Sequence, residues 1–157
     1  MSSALKIETI PLADLPIGAS HNEESGHRPV VLVVDDQEII ADTRVAILAG
    51  WGYAAIASYD AESALEMARV IPPEILVTDV CLTGMNGVDL AVEIRSKVPD
   101  CKVILFSGRA DSLNLLELAR NVGHNFTLLQ KPVHPVELLA HLTDFRPVTR
   151  SGPKLVA

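Results

Sequence analysis

Cysteine is nearly absent: Cys81 and Cys101 are the only two in 157 residues. Their spacing matches neither a zinc motif nor a disulfide framework, so reduced thiols in a cytoplasmic protein are expected. No apolar run approaches the roughly 20 residues that span a bilayer. Nor does the amino terminus carry a basic segment leading into an apolar block. Membrane insertion and a secretory signal are therefore not expected. Basic residues are in deficit, with 13 Lys and Arg against 20 Asp and Glu and a formal net charge of -7. That balance argues against direct nucleic-acid binding, which depends on clustered cations meeting phosphates. No internal repeat is visible. Among the five histidines (His21, His27, His124, His134 and His141) no pair has ligand spacing, so surface positions are expected for them.

What is present suits one soluble domain with a single core: 48% of the residues are hydrophobic. Residues 1–28 hold Pro11, Pro16 and Gly18, then a polar run from Ser20 to His27, with no sustained period. They read as a flexible arm, with a short local element near Leu5 to Leu12. Residues 146–157, with Pro147, Gly152 and Pro153, read as a second loose tail. Between them, residues 29–145 alternate short apolar runs with amphipathic segments.

The continuous apolar run Val30 to Val34, β-branched at all but Leu32, predicts a strand buried on both faces. Gln37 to Ala49 carries Ile40, Ile47 and Leu48 at helical spacing and stops at Gly50. A weak strand is expected at Ala54 to Ala57. Asp60 is placed to cap a helix running to about Val70, halted by Pro72-Pro73. Ile75 to Thr78, Val103 to Phe106 and Phe126 to Leu129 read as further strands. Helices are expected over Val88 to Val98, about Asp111 to Val122, and Pro135 to Leu142, the last entered by a proline. Strands separated by helices imply an α/β fold, a parallel sheet with helices on both faces. Ligands of such sheets sit outside the carboxyl ends of the strands.

Polar residues interrupt the apolar pattern at those ends: Asp35-Asp36, Asp79, Ser107 and Lys131-Pro132. The topology brings all of them to one rim. Clustered carboxylates repel each other unless a cation sits among them, and oxygen ligands with open positions suit magnesium. A lysine and a hydroxyl supply the positive charge and the donor that a transferring phosphoryl group needs. A carboxylate can itself act as the nucleophile.

The segments Val33-Val34-Asp35-Asp36-Gln37-Glu38, Leu76-Val77-Thr78-Asp79, Gly84-Met85-Asn86-Gly87, Leu105-Phe106-Ser107-Gly108 and Gln130-Lys131-Pro132 resemble the successive motifs of two-component response-regulator receiver domains. Each is weak alone; in this order and at these intervals the set is specific, and it extends from about Pro29 to Phe145. The resemblance implies a five-stranded parallel sheet in flavodoxin-like order 2-1-3-4-5. It implies Asp79 as phosphoacceptor, with magnesium held by Asp36, Asp79, the backbone carbonyl of Cys81, and Asp35 partly through water. Ser107 and Lys131 would bind phosphoryl oxygens, and Pro132, commonly cis in the family, would stiffen the turn that aims the lysine. A sensor histidine kinase or histidine phosphotransfer protein would supply the phosphoryl group, so the protein would not be a conventional enzyme. Only a short tail follows Phe145, so output is expected through protein contacts of the receiver itself, with an unknown partner.

Two positions depart from the family pattern. Leu128 stands three residues before Lys131, where an aromatic is usual, with Phe126 two positions earlier on the same strand face. Thr83 stands where proline is frequent in the loop after Asp79. Cys81 is expected to be a small half-buried side chain. Surplus apolar residues among Leu113, Leu115, Leu116, Leu118 and Val122 could form a contact patch. Two alternatives belong to other classes. One is a phosphorylation-independent interaction or dimerisation domain. The other is a haloacid-dehalogenase-like phosphatase, disfavoured because its Asp-x-Asp arrangement after the first strand is missing. A glycine-rich dinucleotide turn is missing too.

Overall fold

A computed structural model describes residues 26–108 and 112–143; the expected tail, and all of the expected arm but its last three residues, lie outside them. Five strands alternate with five helices in the order β1 (Val30–Val34), α1 (Glu38–Gly50), β2 (Ala54–Ser58), α2 (Ala61–Val70), β3 (Ile75–Asp79), α3 (Gly87–Lys97), β4 (Lys102–Ser107), α4 (Ser112–Asn121), β5 (Thr127–Gln130) and α5 (Pro135–Ala140). Every strand pairing is parallel and the sheet order is β2-β1-β3-β4-β5, as the resemblance implied.

The strands build two cores because their side chains alternate across the sheet. Leu32 and Val34 of β1, Leu76 of β3, and Val103 and Leu105 of β4 face the layer made by α2, α3 and α4. Val31 and Val33, Ile75 and Val77, and Ile104 and Phe106 face the layer of α1 and α5. Each fully buried aliphatic side chain contributes about 1.5–3 kcal/mol, so strands covered on both faces dominate the stability. The central strand β3 is buried along its whole length, whereas edge strand β2 is only half-buried over Ala54 to Ala57.

Local signals set the helix ends. The Asp60 carboxylate accepts the Ser63 backbone N–H at 2.7 Å, the expected cap of α2. Asn86 caps α3 in the same way, accepting from the Asp89 N–H at 2.8 Å. Pro135 opens α5 at its first turn. That helix is shorter than expected: the N–H groups of His141 and Leu142 bond to the carbonyls of Leu138 and Leu139, tightening the last turn. Leu142 nevertheless stays fully buried. Phe126, expected inside the fifth strand, precedes it. Among the described residues no helix is long and apolar enough to cross a membrane.

Candidate functional site

Sheet register assembles the site. Val34 of β1 pairs with Thr78 of β3, so Asp35 and Asp79 stand side by side one step further on. Asp79 pairs with Phe106 of β4, which places Ser107 next along the rim. Ser107 pairs with Gln130 of β5, and its carbonyl accepts the Lys131 N–H at 2.9 Å. The Lys131–Pro132 peptide is cis, as the resemblance implied. Residues far apart in sequence are thus gathered because four neighbouring strands run the same way and end together.

Each carboxylate has its own partners. Asp79 is 7% exposed; its Oδ2 accepts from Lys131 Nζ at 2.8 Å and its Oδ1 from the backbone N–H of Cys81 at 3.3 Å. Asp35 is 1% exposed, and it accepts from the Gln37 N–H at 2.9 Å through Oδ1 and from the Arg44 guanidinium at 2.9 Å through Oδ2. Asp36 is exposed and accepts from the Thr83 hydroxyl at 3.1 Å. The contact with Thr83 gives that loop position a role the sequence did not suggest. Ser107 is buried at the centre of the rim. Buried charges such as those of Asp35 and Asp79 are tolerable only when paired, and stripping away one partner typically costs about 3–5 kcal/mol.

Arg44 is an addition to the expected set. Besides Lys131, which was expected at the rim, the described residues supply a second cation there, Arg44. Among the described residues no three Asp, Glu, His or Cys side chains stand together as a ready-made metal site. The physical reason is visible in the pairings: each acid is drawn to a different donor. A signal for Arg44 does exist in the sequence. It is the basic residue on the stretch of α1 between the buried Ala41 and Leu48, where a helix resting on a sheet should turn inward. Its guanidinium carbon lies 4.3 Å from the centre of the Phe106 ring, on the strand that ends in Ser107.

The donors still suit a hard cation in kind. Carboxylates of Asp36 and Asp79 offer oxygen at one rim, and the exposure of Asp36 leaves room for water. Beside this rim, on the α1 and α5 side, lies a cavity of about 280 Å³ lined by Ile40, Thr43, Arg44, Ile47, Phe106 and Leu138 among others. Its walls are mostly aliphatic.

Three further residues separate expectation from outcome. Cys81 is exposed, not half-buried, because it is Val80, Leu82 and Met85 that the loop after β3 turns toward the core. Cys101 is buried, and loss of solvation pushes its thiol up to about 12. Leu128 and Phe126 both pack against the core under α2, α3 and α4, so they share a face as expected. The Phe126 ring also stacks with the His124 ring at 5.5 Å and lies 5.1 Å from the Arg95 guanidinium. On α4, Leu113 and Leu118 are more than half exposed, as is Val122 just after it, while Leu116 and Ala119 are buried, so part of the apolar surplus does face solvent.

A family model described as response regulator receiver domain matches residues 31–143. Among curated proteins, the DNA-binding response regulator MtrA of Mycolicibacterium smegmatis is 28% identical over 117 residues, which cover 73% of this chain and 49% of that protein. The chain thus spans about half the length of this relative. Among solved structures, a CheY-like response regulator receiver domain protein from Methanospirillum hungatei superposes with a TM-score of 0.69 at 27% identity, covering 75% of this chain and 93% of the other. A signal receiver domain of an HD domain-containing protein from Pseudomonas fluorescens also gives a TM-score of 0.69, at 30% identity, with 75% and 94% covered.

Proposed function

Since the chain belongs to the response regulator receiver domain family, we propose that it is a phosphorylation-dependent signalling module whose acceptor is Asp79. Members of this family are signalling domains and not conventional enzymes. The observation that carries the reading is the Asp79 carboxylate, held at a four-strand rim with Lys131 Nζ 2.8 Å from Oδ2.

In this reading a carboxylate oxygen of Asp79 attacks phosphorus, forming an acyl phosphate as the P–N bond to the donor histidine breaks and the imidazole leaves with the electron pair. The donor is a sensor histidine kinase or a histidine phosphotransfer protein. Lys131 passes from the carboxylate to a phosphoryl oxygen, keeping positive charge on the group as it moves. Ser107 takes another phosphoryl oxygen. Asp36, Asp79 and the Cys81 carbonyl would hold magnesium, with Asp35 acting through water. When bound, the ion neutralises charge that builds on the transferring group. Hydrolysis of the acyl phosphate resets the protein. Output passes through protein contacts, for which the exposed leucines of α4 and the neighbouring β5 and α5 are the natural surface. With Leu128 in place of an aromatic, the conformational readout must differ from one based on an inward-turning ring.

Intact-mass measurement after incubation with acetyl phosphate and magnesium tests this. One added phosphoryl group is expected in the natural protein and none in Asp79→Asn or without magnesium. Equal labelling of Asp79→Asn would move the acceptor elsewhere. No labelling of either would favour an interaction domain that works without phosphorylation.

A further inference from the structure

Three carboxylates at the rim face two cations built into the chain. Lys131 is accounted for by the phosphoryl group; Arg44 is not. Its side chain is 15% exposed and its partner Asp35 is 1% exposed, so this pair has little solvent to screen it. The guanidinium also lies over the Phe106 ring, 4.3 Å from its centre. Asp35 has one oxygen on Arg44 and the other on the Gln37 N–H. It therefore meets any incoming divalent ion, or that ion's water, with both oxygens already engaged and its charge already balanced.

We infer that Arg44 is a resident counter-cation that competes with magnesium for Asp35 and thereby sets the metal affinity of this receiver. The inference rests on the proposed metal-binding function and assigns Arg44 a positioning role: it touches neither donor nor phosphoryl group and acts through Asp35. Two consequences follow from charge alone. With Arg44 present the rim carries less net negative charge, so a divalent ion binds more weakly than three acids would allow. When the ion does take a share of Asp35, the guanidinium loses part of its hold. The adjoining cavity, lined by Thr43, Ile47 and Phe106 among others, gives it space to shift.

The test is calorimetric titration of the phosphate-free protein with MgCl₂, backed by melting curves across the same magnesium range. Arg44→Met removes the charge while keeping an unbranched apolar stem, and Arg44→Gln removes the charge while keeping an N–H donor. Arg44→Lys retains the charge. Both neutral variants are expected to bind magnesium roughly tenfold more tightly, and Arg44→Lys to stay within about twofold of the natural protein. Melting temperature should rise more steeply with magnesium in the neutral variants, because the ion then replaces the lost partner of Asp35. An Arg44→Met protein that folds only when magnesium is supplied would equally support the inference. In Asp35→Asn the Arg44→Gln change should no longer alter affinity. Unchanged or weaker binding in both neutral variants overturns the inference while leaving the metal site standing. An absence of magnesium binding in every protein, with Asp36→Ala indistinguishable from the rest, overturns the metal reading itself.

Discussion

Gly87 is the tightest backbone approach next to the site, and replacing it by alanine should be costly out of proportion to one methyl group. A Cβ there would lie 2.1 Å from the carbonyl oxygen of Asp79, 2.9 Å from its carbonyl carbon and 3.0 Å from Val80 Cα. Ordinary contact begins at 3.4 Å, so the start of α3 and the end of β3 would have to part by about 1.3 Å. Neither side yields easily, since the Gly87 N–H is bonded to the Val80 carbonyl at 2.8 Å and Asn86 caps the same turn. Overpacking of this kind costs about 1–3 kcal/mol, and an obstacle made of backbone puts Gly87→Ala near the top of that range. Gly50→Ala is the control. It ends α1 with nothing within 4 Å of the added Cβ, so it should be neutral or stabilising by up to about 1 kcal/mol. Urea unfolding followed by circular dichroism measures both, with equal m-values required before the midpoints are compared. The same shift displaces Asp79 from Lys131, so acetyl-phosphate labelling of Gly87→Ala should slow roughly a hundredfold. A Gly87→Ala protein within about 0.5 kcal/mol of the parent, labelled at the parental rate, would refute the steric reasoning.

Asp60→Ala removes the acceptor for the Ser63 N–H at the start of α2 and should cost about 1 kcal/mol in the same unfolding assay, with Asp60→Asn costing less. A thiol reagent at pH 8 should modify Cys81 alone in the folded protein, and Cys101 only after unfolding. Well below pH 9.0 the Cys101 thiol is protonated in both folded and unfolded chains, and its burial makes no pH-dependent contribution. Above that the unfolded chain ionises while the folded one holds its proton up to about 12, so stability should fall across this window. Urea midpoints at pH 8 and pH 10.5 should therefore diverge less in Cys101→Ala than in the parent.

Much of the fold was legible because its determinants are local. A short apolar run that is β-branched at all but Leu32 favours a strand covered on both faces, and Val31 to Val34 are indeed fully buried. Asp60 marks an end through a bond to a near neighbour, and Pro135 and the proline pair after α2 mark ends through local backbone restriction. The rim was legible too, since parallel strands returned by helices must end on one edge. That brought Asp35, Asp79, Ser107 and Lys131 together before any distance was known.

The rotation of α1 on the sheet was not legible. Its apolar residues, from Ile39 and Ile40 to Val45 and Ile47, are spread round several faces, so periodicity alone could not choose one. The expected face held Ile40, Ile47 and Leu48, whereas the structure buries Ala41 and Leu48 and leaves Ile40 and Ile47 half-covered. That choice turns Arg44 inward onto Asp35 and Phe106. The close approach of Gly87 to Asp79 and the exposure of Cys81 likewise depend on how a loop or helix settles against a distant strand. Sequence determined which segments are strands and where their polar ends must gather, because those follow from hydrophobic period and chain direction. Only packing decided which charge each acid meets, because that depends on the angle at which one element lies on another.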